Sequence, residues 1–162
     1  MKNNEANPSF VERGGLWVLA QIPILLLAAL LPLWNGHGQF VPRYPLQGVG
    51  VILTCLGVAV ATAGLRDLGR ALTPFPYPLK DATLRRGGLY AYIRHPIYSG
   101  LLCSVFGWAV WWISPLGLAY TILVAAFFDR KAAREEAWLE MKYQEQYVAY
   151  KKQVKKFLPW IY

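Results

Sequence analysis

The chain has 162 residues, which is room for one domain. Hydrophobic residues make up 56% of it and charged residues only 16%, which excludes an ordinary soluble domain, where about a quarter of the residues are charged. The net charge of +8 comes from basic residues beside apolar runs, so lipid headgroups explain it better than a nucleic-acid partner. Cys55 and Cys103 lie inside apolar runs, and neither a disulfide nor a metal site is predicted.

The first apolar run covers residues 14–34 and predicts a transmembrane helix. Its only polar side chain is Gln21, and its length suffices to span a hydrocarbon core of about 30 Å. Ser9 and Glu12 precede the run with the spacing of a capping box, which predicts that a helix starts there.

A second apolar run, residues 48–65, follows a turn-rich connection and predicts another transmembrane helix. Gly50, Gly57 and Gly64 stand one heptad apart in this run. Small residues at such spacing allow another helix to approach closely. Residues 1–65 are therefore predicted to hold two N-terminal transmembrane helices.

A long cytoplasmic loop is predicted over residues 66–96, with prolines at alternate positions, Pro74, Pro76 and Pro78. Alternating prolines favour a stiff, extended path, and loops of this length are usually functional or disordered. We expect this loop to be functional.

A helical hairpin is predicted over residues 97–128, from two apolar segments, 97–113 and 115–128, on either side of Ser114. Each segment is short for a membrane span, because its helix reaches only about 21–25 Å. With this hairpin, the chain is predicted to be an all-α integral membrane protein with about four transmembrane helices.

The positions of the Lys and Arg residues predict the topology. If all four segments cross, sixteen of the 17 lie on the side of the N-terminus, the loop and the tail, and only Arg43 lies on the other side. The positive-inside rule then puts both termini in the cytoplasm, and the protein in the inner (cytoplasmic) membrane if the chain is bacterial.

The tail, residues 129–162, is predicted to continue as a cytoplasmic amphipathic helix. Its apolar face follows steps of three and four residues through Leu139, Tyr143, Tyr147, Tyr150, Val154 and Phe157. Lysines occupy the opposite face, and Pro159 ends the helix. Such a helix either lies against the headgroups or folds over the loop.

Polar side chains flank the predicted hairpin at one membrane face. Arg94 and His95 come just before its first helix, and Glu135 and Glu136 follow its second helix. The hairpin therefore brings donors and two carboxylates together beside an apolar region, an arrangement that suits a small-molecule site.

Each of these residues also has a purely structural interpretation. Arg94 suits an interfacial arginine that extends to the headgroups. His95 suits the cap of a helix whose first turn starts with Pro96. Glu135 suits a pair with Lys131 on a solvated helix face. Their combination favours a functional site.

The run from Gly88 to Gly100, Gly-Leu-Tyr-Ala-Tyr-Ile-Arg-His-Pro-Ile-Tyr-Ser-Gly, is followed by the hairpin, by Glu135-Glu136 and by the tyrosines of the tail. This arrangement resembles the isoprenylcysteine carboxyl methyltransferase and phospholipid methyltransferase superfamily over about residues 65–159. The two motifs and their spacing are far more specific than either half alone. The resemblance implies a single membrane methyltransferase domain over residues 1–162, which uses S-adenosylmethionine at the cytoplasmic membrane face.

The same resemblance implies roles for individual residues. Cofactor contacts are implied for Leu84, Tyr90, Arg94, His95, Pro96, Tyr98, Gly100, Glu135 and Glu136. A carboxylate would bind the ammonium of the donor, while Arg94 or His95 would bind its carboxylate. His95 is also the candidate catalytic residue, as the base that an amine acceptor would need.

The acceptor is expected to be a lipophilic or small molecule that enters from the membrane lipid. In the family, a basic residue four positions before the motif glutamate faces the acceptor, and here it is Lys131 where arginine is usual. A lysine lacks the bidentate carboxylate contact of arginine, so a carboxylate, a thiol and an amine all stay open. The usual Phe-Gly before the paired tyrosines is Tyr143-Gln144 here. The oligomeric state is left open.

Two alternatives are kept. Membrane sterol and steroid reductases, which use NADPH, share an Arg-His-Pro-x-Tyr-x-Gly element. The asparagine and glutamate that are usual in them are replaced here by Ile97 and Leu101. A non-enzymatic membrane scaffold is the second alternative, and it would tolerate Glu135→Gln and His95→Ala without effect.

Overall fold

The computed structural model describes residues 8–35 and 44–162. Its helices are α1 (Gly15–Asn35), α2 (Tyr44–Leu68), α3 (Pro96–Trp111), α4 (Pro115–Tyr143) and α5 (Glu145–Gln153), with short 3-10 turns at Gly69–Ala71 and Gly88–Ala91. The β-type pairing within the described ranges is a single bridge between Ile93 and Lys155, so the all-α prediction is confirmed. Arg43, expected alone on the opposite side, lies outside the described residues.

Helices α1 and α2 are, by length and composition, long and apolar enough to cross a bilayer. The first matches the predicted run 14–34 closely, whereas α2 extends beyond both ends of the predicted run 48–65. Large apolar side chains of α1, including Leu19, Ile22 and Leu26, are exposed. A contiguous apolar surface of this kind needs lipid or protein to cover it.

A capping box forms before α1, as the sequence predicts. The backbone N–H of Ser9 donates to Glu12 Oε2 at 2.7 Å, and the Glu12 N–H donates to Ser9 Oγ at 3.3 Å. The box stabilises a turn that precedes the helix and is not the first turn of the helix itself. Gly14 adopts a φ of 83°, and α1 begins only at Gly15.

The glycine seam predicted in α2 packs against α3. A Cβ atom on Gly57 would lie 2.5 Å from the carbonyl oxygen of Gly100, and one on Gly107 would lie 2.5 Å from the Thr54 nitrogen. These distances leave no room for a side chain, so the two helices touch through their backbones. The same contact sets the position of the loop that leads into α3.

Helix α4 begins with a capped turn, in which Ser114 Oγ accepts the Gly117 N–H at 3.0 Å and Pro115 takes the first helical position. It then continues without a break to Tyr143. Residue 128, predicted as the end of the hairpin, is therefore an interior position of a longer helix.

The tail is not the single helix that the sequence predicts. Gln144 has a φ of 47° and separates α4 from α5. Helix α5 ends at Gln153 instead of continuing to Pro159, because the backbone becomes extended at Val154.

The extended part of the tail pairs with the loop before α3, one of the two arrangements left open by the sequence. The backbone N–H groups of Arg94 and His95 donate to the carbonyl oxygens of Lys155 (2.8 Å) and Lys156 (3.1 Å). These bonds satisfy backbone groups of both segments, which explains why the helix stops. The predicted apolar face is buried at Tyr147, Tyr150, Val154 and Phe157.

Candidate active site

A cavity of about 390 Å³ opens between the loop after α2, the start of α3 and the middle of α4. This volume is in the range of small-molecule sites, about 300–1,000 Å³. Its lining is mostly apolar, and Gln21 and Leu25 of α1 form part of it. Of the predicted site residues, Leu84, Tyr90, Arg94, His95, Tyr98, Lys131 and Glu135 line the cavity.

Glu135 presents its carboxylate to this cavity. Its side chain is 29% exposed, and Oε2 accepts a hydrogen bond from the Tyr98 hydroxyl at 2.9 Å. His95 Nδ1 lies 3.9 Å from the same oxygen. The rings of His95 and Tyr98 are stacked, with centroids 5.5 Å apart. The carboxylate is thus oriented from one side and keeps lone pairs for a cationic ligand.

Glu136, the next residue, faces the protein interior. Its side chain is 6% exposed, and Oε1 accepts a hydrogen bond from Arg94 Nε at 2.9 Å and lies 3.1 Å from His95 Nε2. Lys151 Nζ lies 3.3 Å from Oε2. Burial alone would raise the pKa of Glu136, but the hydrogen bond and charge of His95, together with Arg94, outweigh it and hold that pKa at about 2.

These contacts decide between the interpretations of Arg94 and His95. Arg94 Nη1 also donates to the carbonyl oxygens of Val154 and Lys151, so this arginine is bound within the protein and does not extend to headgroups. His95 makes no side-chain cap on α3. Both residues line the cavity while their polar atoms face the two glutamates.

Lys131 is only 2% exposed. Its Nζ donates to Gln21 Oε1 of α1 at 2.5 Å and lies 3.4 Å from the Pro74 carbonyl oxygen. It also lies 5.5 Å from the centre of the Tyr98 ring. Lys131 forms no ion pair among the described residues, so the pairing with Glu135 considered from the sequence is not made. Neutral acceptors alone compensate poorly for the burial of an ammonium.

The 3-10 turn Gly88–Ala91 holds Tyr90 in the cavity wall. Asp67 Oδ2, at the end of α2, accepts the Leu89 N–H at 2.7 Å, and the Tyr150 hydroxyl donates to the Tyr90 carbonyl at 2.6 Å. Burial is the main cause that raises the pKa of Tyr90, so its phenol stays protonated at neutral pH.

Three residues predicted to contact the cofactor lie behind the wall. Pro96 packs in the α2–α3 contact, where a Cβ atom on Gly64 would lie 3.1 Å from its ring. Gly100 faces Ala61, whose nitrogen would be 2.4 Å from a Cβ atom on Gly100. Glu136 is separated from the cavity by His95 and Arg94. Direct cofactor contact by these three stays a prediction.

Sequence reasoning gave no site role to Gln21, and it expected Arg85 in the pocket only as a neighbour of Leu84. Gln21 was visible as the only polar side chain in an apolar run, a position that is often functional. Arg85 is exposed at the cavity and makes no hydrogen bond to any described residue. No sequence signal distinguishes it from Arg86, which instead donates to Gln146 Oε1 at 3.2 Å.

Comparison with known proteins places this fold and motif pair in a family. Residues 46–146 match the family model of phospholipid methyltransferase. Human protein-S-isoprenylcysteine O-methyltransferase is 38% identical over 119 residues, which are 72% of this chain and 42% of that protein. The Schizosaccharomyces pombe protein of the same name is 30% identical over 125 residues, 73% of this chain and 50% of that protein. The chain thus spans about half the length of these relatives.

A solved structure has the same fold. It is that of the eukaryotic intramembrane Ras methyltransferase, an isoprenylcysteine carboxyl methyltransferase, and it aligns with a TM-score of 0.70 over 91% of this chain and 53% of that one. The sequences are 24% identical, so this likeness concerns the fold alone. The resemblance stated from the two motifs is confirmed by the family match, and the chain belongs to the phospholipid methyltransferase family, within the superfamily that includes the isoprenylcysteine methyltransferases.

Proposed function

We propose that the chain transfers a methyl group from S-adenosylmethionine to a lipophilic or small acceptor at the cytoplasmic face of a membrane. The observation that carries the proposal is the position of Glu135. Its partly exposed carboxylate accepts a hydrogen bond from Tyr98, lies beside His95, and faces a cavity that is otherwise lined mostly by apolar side chains. The family of the chain, and relatives named as O-methyltransferases, support methyl transfer.

We further propose that four helices cross the membrane, with both termini in the cytoplasm. Helix α3 has 16 residues, about 24 Å of helix. Helices α3 and α4 form a hairpin, and two hydrogen bonds to α1 support a position of this hairpin within the membrane. Trp108 Nε1 donates to the Ala29 carbonyl at 3.0 Å, and the Tyr120 hydroxyl donates to the Ile24 carbonyl at 3.3 Å. The distribution of Lys and Arg supports the orientation.

The residues around the cavity fit the methyl donor. Glu135 suits the ammonium of its amino-acid end. Arg85 suits the carboxylate of that end, because its guanidinium has no partner in the ranges 8–35 and 44–162. Arg94 and His95 suit it less well, since Arg94 Nε and His95 Nε2 are already bound to Glu136. Tyrosine rings in the wall suit the flat base and the sulfonium of the donor.

When bound, the donor supplies an electrophilic methyl group on a sulfonium sulfur. The task of the chain is then alignment and exclusion of water, because an anionic acceptor needs no further activation. Tyr98 and His95 orient Glu135, and the proline loop covers the cavity from the outside. For an amine acceptor, the atom available to take the proton is His95 Nδ1, since Nε2 is bound to Glu136.

The acceptor is proposed to bind at the end of the cavity that holds Lys131 and Gln21. Among the described residues, the hydrogen-bond partners of the buried Lys131 ammonium are neutral, and the charge of Glu135 acts on it only without a direct contact. An anionic acceptor would supply a counter-charge in direct contact. A single ammonium gives no bidentate fork, and thiolate, carboxylate and amine acceptors all stay in the proposal.

Donor binding to the detergent-purified chain tests this proposal. We expect S-adenosylmethionine to bind, and Glu135→Gln to weaken it by about tenfold, the effect of losing a charge-assisted contact. The matched control is Glu140→Gln, on the same helix and in contact with Lys151 at the surface, and it should change nothing. Binding of NADPH without S-adenosylmethionine would instead support the reductase. Binding of neither would support the scaffold.

The acceptor class is tested with membranes that contain the chain and radiolabelled S-adenosylmethionine. Label is followed into lipid, protein and small-molecule fractions. Transfer that is lost in Glu135→Gln and kept in Glu140→Gln identifies the fraction that holds the acceptor. Equal labelling in all samples would contradict methyl transfer by this chain.

A further inference from the structure

A second cavity, of about 340 Å³, lies on the other side of the proline loop. Phe75 and Pro78 line both cavities, so the loop is the partition between them. The charged side chains around this second cavity are basic. They are Arg13, just before α1, and Lys80 in the loop.

Arg13 offers donors that have no acceptor among the described residues. Its guanidinium lies over the Phe75 ring, 4.7 Å from the centroid, and within residues 8–35 and 44–162 its buried Nε has no hydrogen-bond partner. The neighbouring Glu12 is occupied by Ser9, and Arg13 makes no ion pair among the described residues. A guanidinium held flat by stacking, with unpaired N–H groups, is suited to an oxyanion.

Helix α4 adds a second unpaired donor behind Tyr77, a residue that lines this cavity. The Trp138 ring packs edge-on against Tyr77 with centroids 4.9 Å apart, and its buried Nε1 has no partner in the described part of the chain. The Arg134 guanidinium lies 5.3 Å from the centre of the Trp138 ring. Buried donors are normally satisfied, so Arg13 Nε at the cavity and Trp138 Nε1 behind Tyr77, both unpaired among the described residues, favour a ligand with acceptor atoms at this place.

The charge of the region is positive. Arg13, Lys80 and Arg134 make no ion pairs within the described part of the chain. Lys142 adds a further cation, since its Nζ donates to the Lys80 carbonyl at 2.8 Å. Asp81 is the acidic residue whose charge acts on Lys142. An anion is therefore favoured over a cation or a neutral ligand.

We infer that this outer patch, formed by Arg13, Phe75, Tyr77, Lys80, Arg134 and Trp138, binds the phosphate group of an anionic lipid headgroup. The inference rests on the proposed topology, which puts the start of α1 at the cytoplasmic headgroup level. Aromatic rings and arginines are the side chains that suit this level of a bilayer. A bound headgroup would brace the proline loop from outside, because the inner side of the loop is tied to Lys131 through the Pro74 carbonyl.

The test uses the full chain in mild detergent with added phosphatidylglycerol, and native mass spectrometry of the lipid that it retains. We expect the wild type to retain a lipid molecule. The double variant R13Q/R134Q should reduce the retained fraction by about tenfold, since contacts of two cations to phosphate are lost. The control K152Q/K155Q removes two exposed charges from the tail and should retain the lipid as the wild type does.

The inference would be overturned if the wild type retained no lipid. It would also be overturned if both double variants lost the lipid equally, because equal losses indicate unspecific attraction to positive charge. Trp138→Phe removes one buried N–H without changing the charge, and it should also weaken retention. Unchanged retention in Trp138→Phe would count against a built site. Inorganic phosphate at millimolar concentration distinguishes a lipid headgroup from free phosphate as the ligand of the patch. Displacement of the lipid by phosphate alone would refute the headgroup assignment.

The same samples are used to measure binding of S-adenosylmethionine. It should be unchanged in R13Q/R134Q in detergent, because neither arginine lines the first cavity. If lipid retention is lost while donor binding stays intact, the result bears on the outer patch alone. If the wild type does not bind the donor, the result contradicts the proposed methyl transfer and leaves the outer patch unaffected.

Discussion

His95 Nε2 lies 3.1 Å from Glu136 Oε1, and both side chains are almost completely buried. Arg94 donates to the same oxygen, so one carboxylate holds two consecutive residues of the cavity wall from behind. Glu135 and Glu136 are neighbours in sequence, yet one faces the cavity and the other faces the interior. Glu136 is accordingly a positioning residue in our proposal, since it acts through His95 and Arg94.

Glu136→Gln should lower stability in a pH-dependent way. The pKa of about 2 lies below the ordinary value of 4.5, so this carboxylate stabilises the folded state above pH 4.5 and loses that effect as the pH falls towards 2. The variant is expected to lose on the order of 2 kcal/mol at pH 7. Unfolding in detergent should show this difference shrinking at pH 3. A difference of constant size from pH 7 to pH 3 would contradict the role of the charge.

Gln21 and Lys131 should behave as a coupled pair. Gln21→Leu removes one of the two acceptors of a buried ammonium and is expected to cost about 1–3 kcal/mol. The double variant Gln21→Leu with Lys131→Met replaces both partners by apolar groups and should recover most of that loss. A double-mutant cycle of thermal unfolding measures the coupling. Strictly additive losses would show that the contact contributes nothing.

The double variant also tests the acceptor end of the cavity. It should still bind S-adenosylmethionine, because Glu135 and Tyr98 are unchanged, while methyl transfer is lost. Transfer at the wild-type rate would refute a role for Lys131 in acceptor binding.

Gly57→Ala should disturb the α2–α3 contact. The new Cβ atom would lie 2.4 Å from Ser104 Oγ and 2.5 Å from the Gly100 carbonyl oxygen, so the helices must separate. A loss of about 1–3 kcal/mol is expected from overpacking of this kind. Gly48→Ala is the matched control on the same helix, because its Cβ atom would meet nothing within 4 Å. Similar melting temperatures for the two variants would argue against a backbone contact.

Gln144→Gly should stabilise the chain. Gln144 is exposed and has a φ of 47° with a ψ of −126°, a conformation that costs L-residues about 1–3 kcal/mol and that glycine adopts freely. A gain of about 1 kcal/mol is expected in thermal unfolding. Ala149→Gly, at an exposed position inside α5, should instead cost about 1 kcal/mol. A loss of stability in both variants would contradict strain at Gln144.

The sequence predicts the parts of this fold that depend on local composition. Both long apolar helices, the capping box at Ser9 and the glycine seam of α2 follow from hydrophobicity and spacing within one segment. The positive φ of Gln144 is a conformation that glycine favours, and the resemblance drawn from the sequence implies glycine at this position.

What the sequence does not predict depends on contacts between distant segments. The extended backbone at Val154 is paired with the loop before α3, and no local pattern marks it as the end of a helix. The contact between Lys131 and Gln21 joins residues 110 positions apart. The opposite orientations of Glu135 and Glu136 likewise arise from the partners that the tail and α3 provide.

The pairing of the tail with the loop before α3 implies an order of assembly. Lys155 and Lys156, whose carbonyl groups accept the backbone N–H groups of Arg94 and His95, follow all of α1 to α4 in the chain. During synthesis, residues 155 and 156 therefore follow the segments that form the four longer helices, and those N–H groups gain their partners only afterwards. We expect the wall of the cavity around Arg94 and His95 to be completed after the four longer helices have been synthesised.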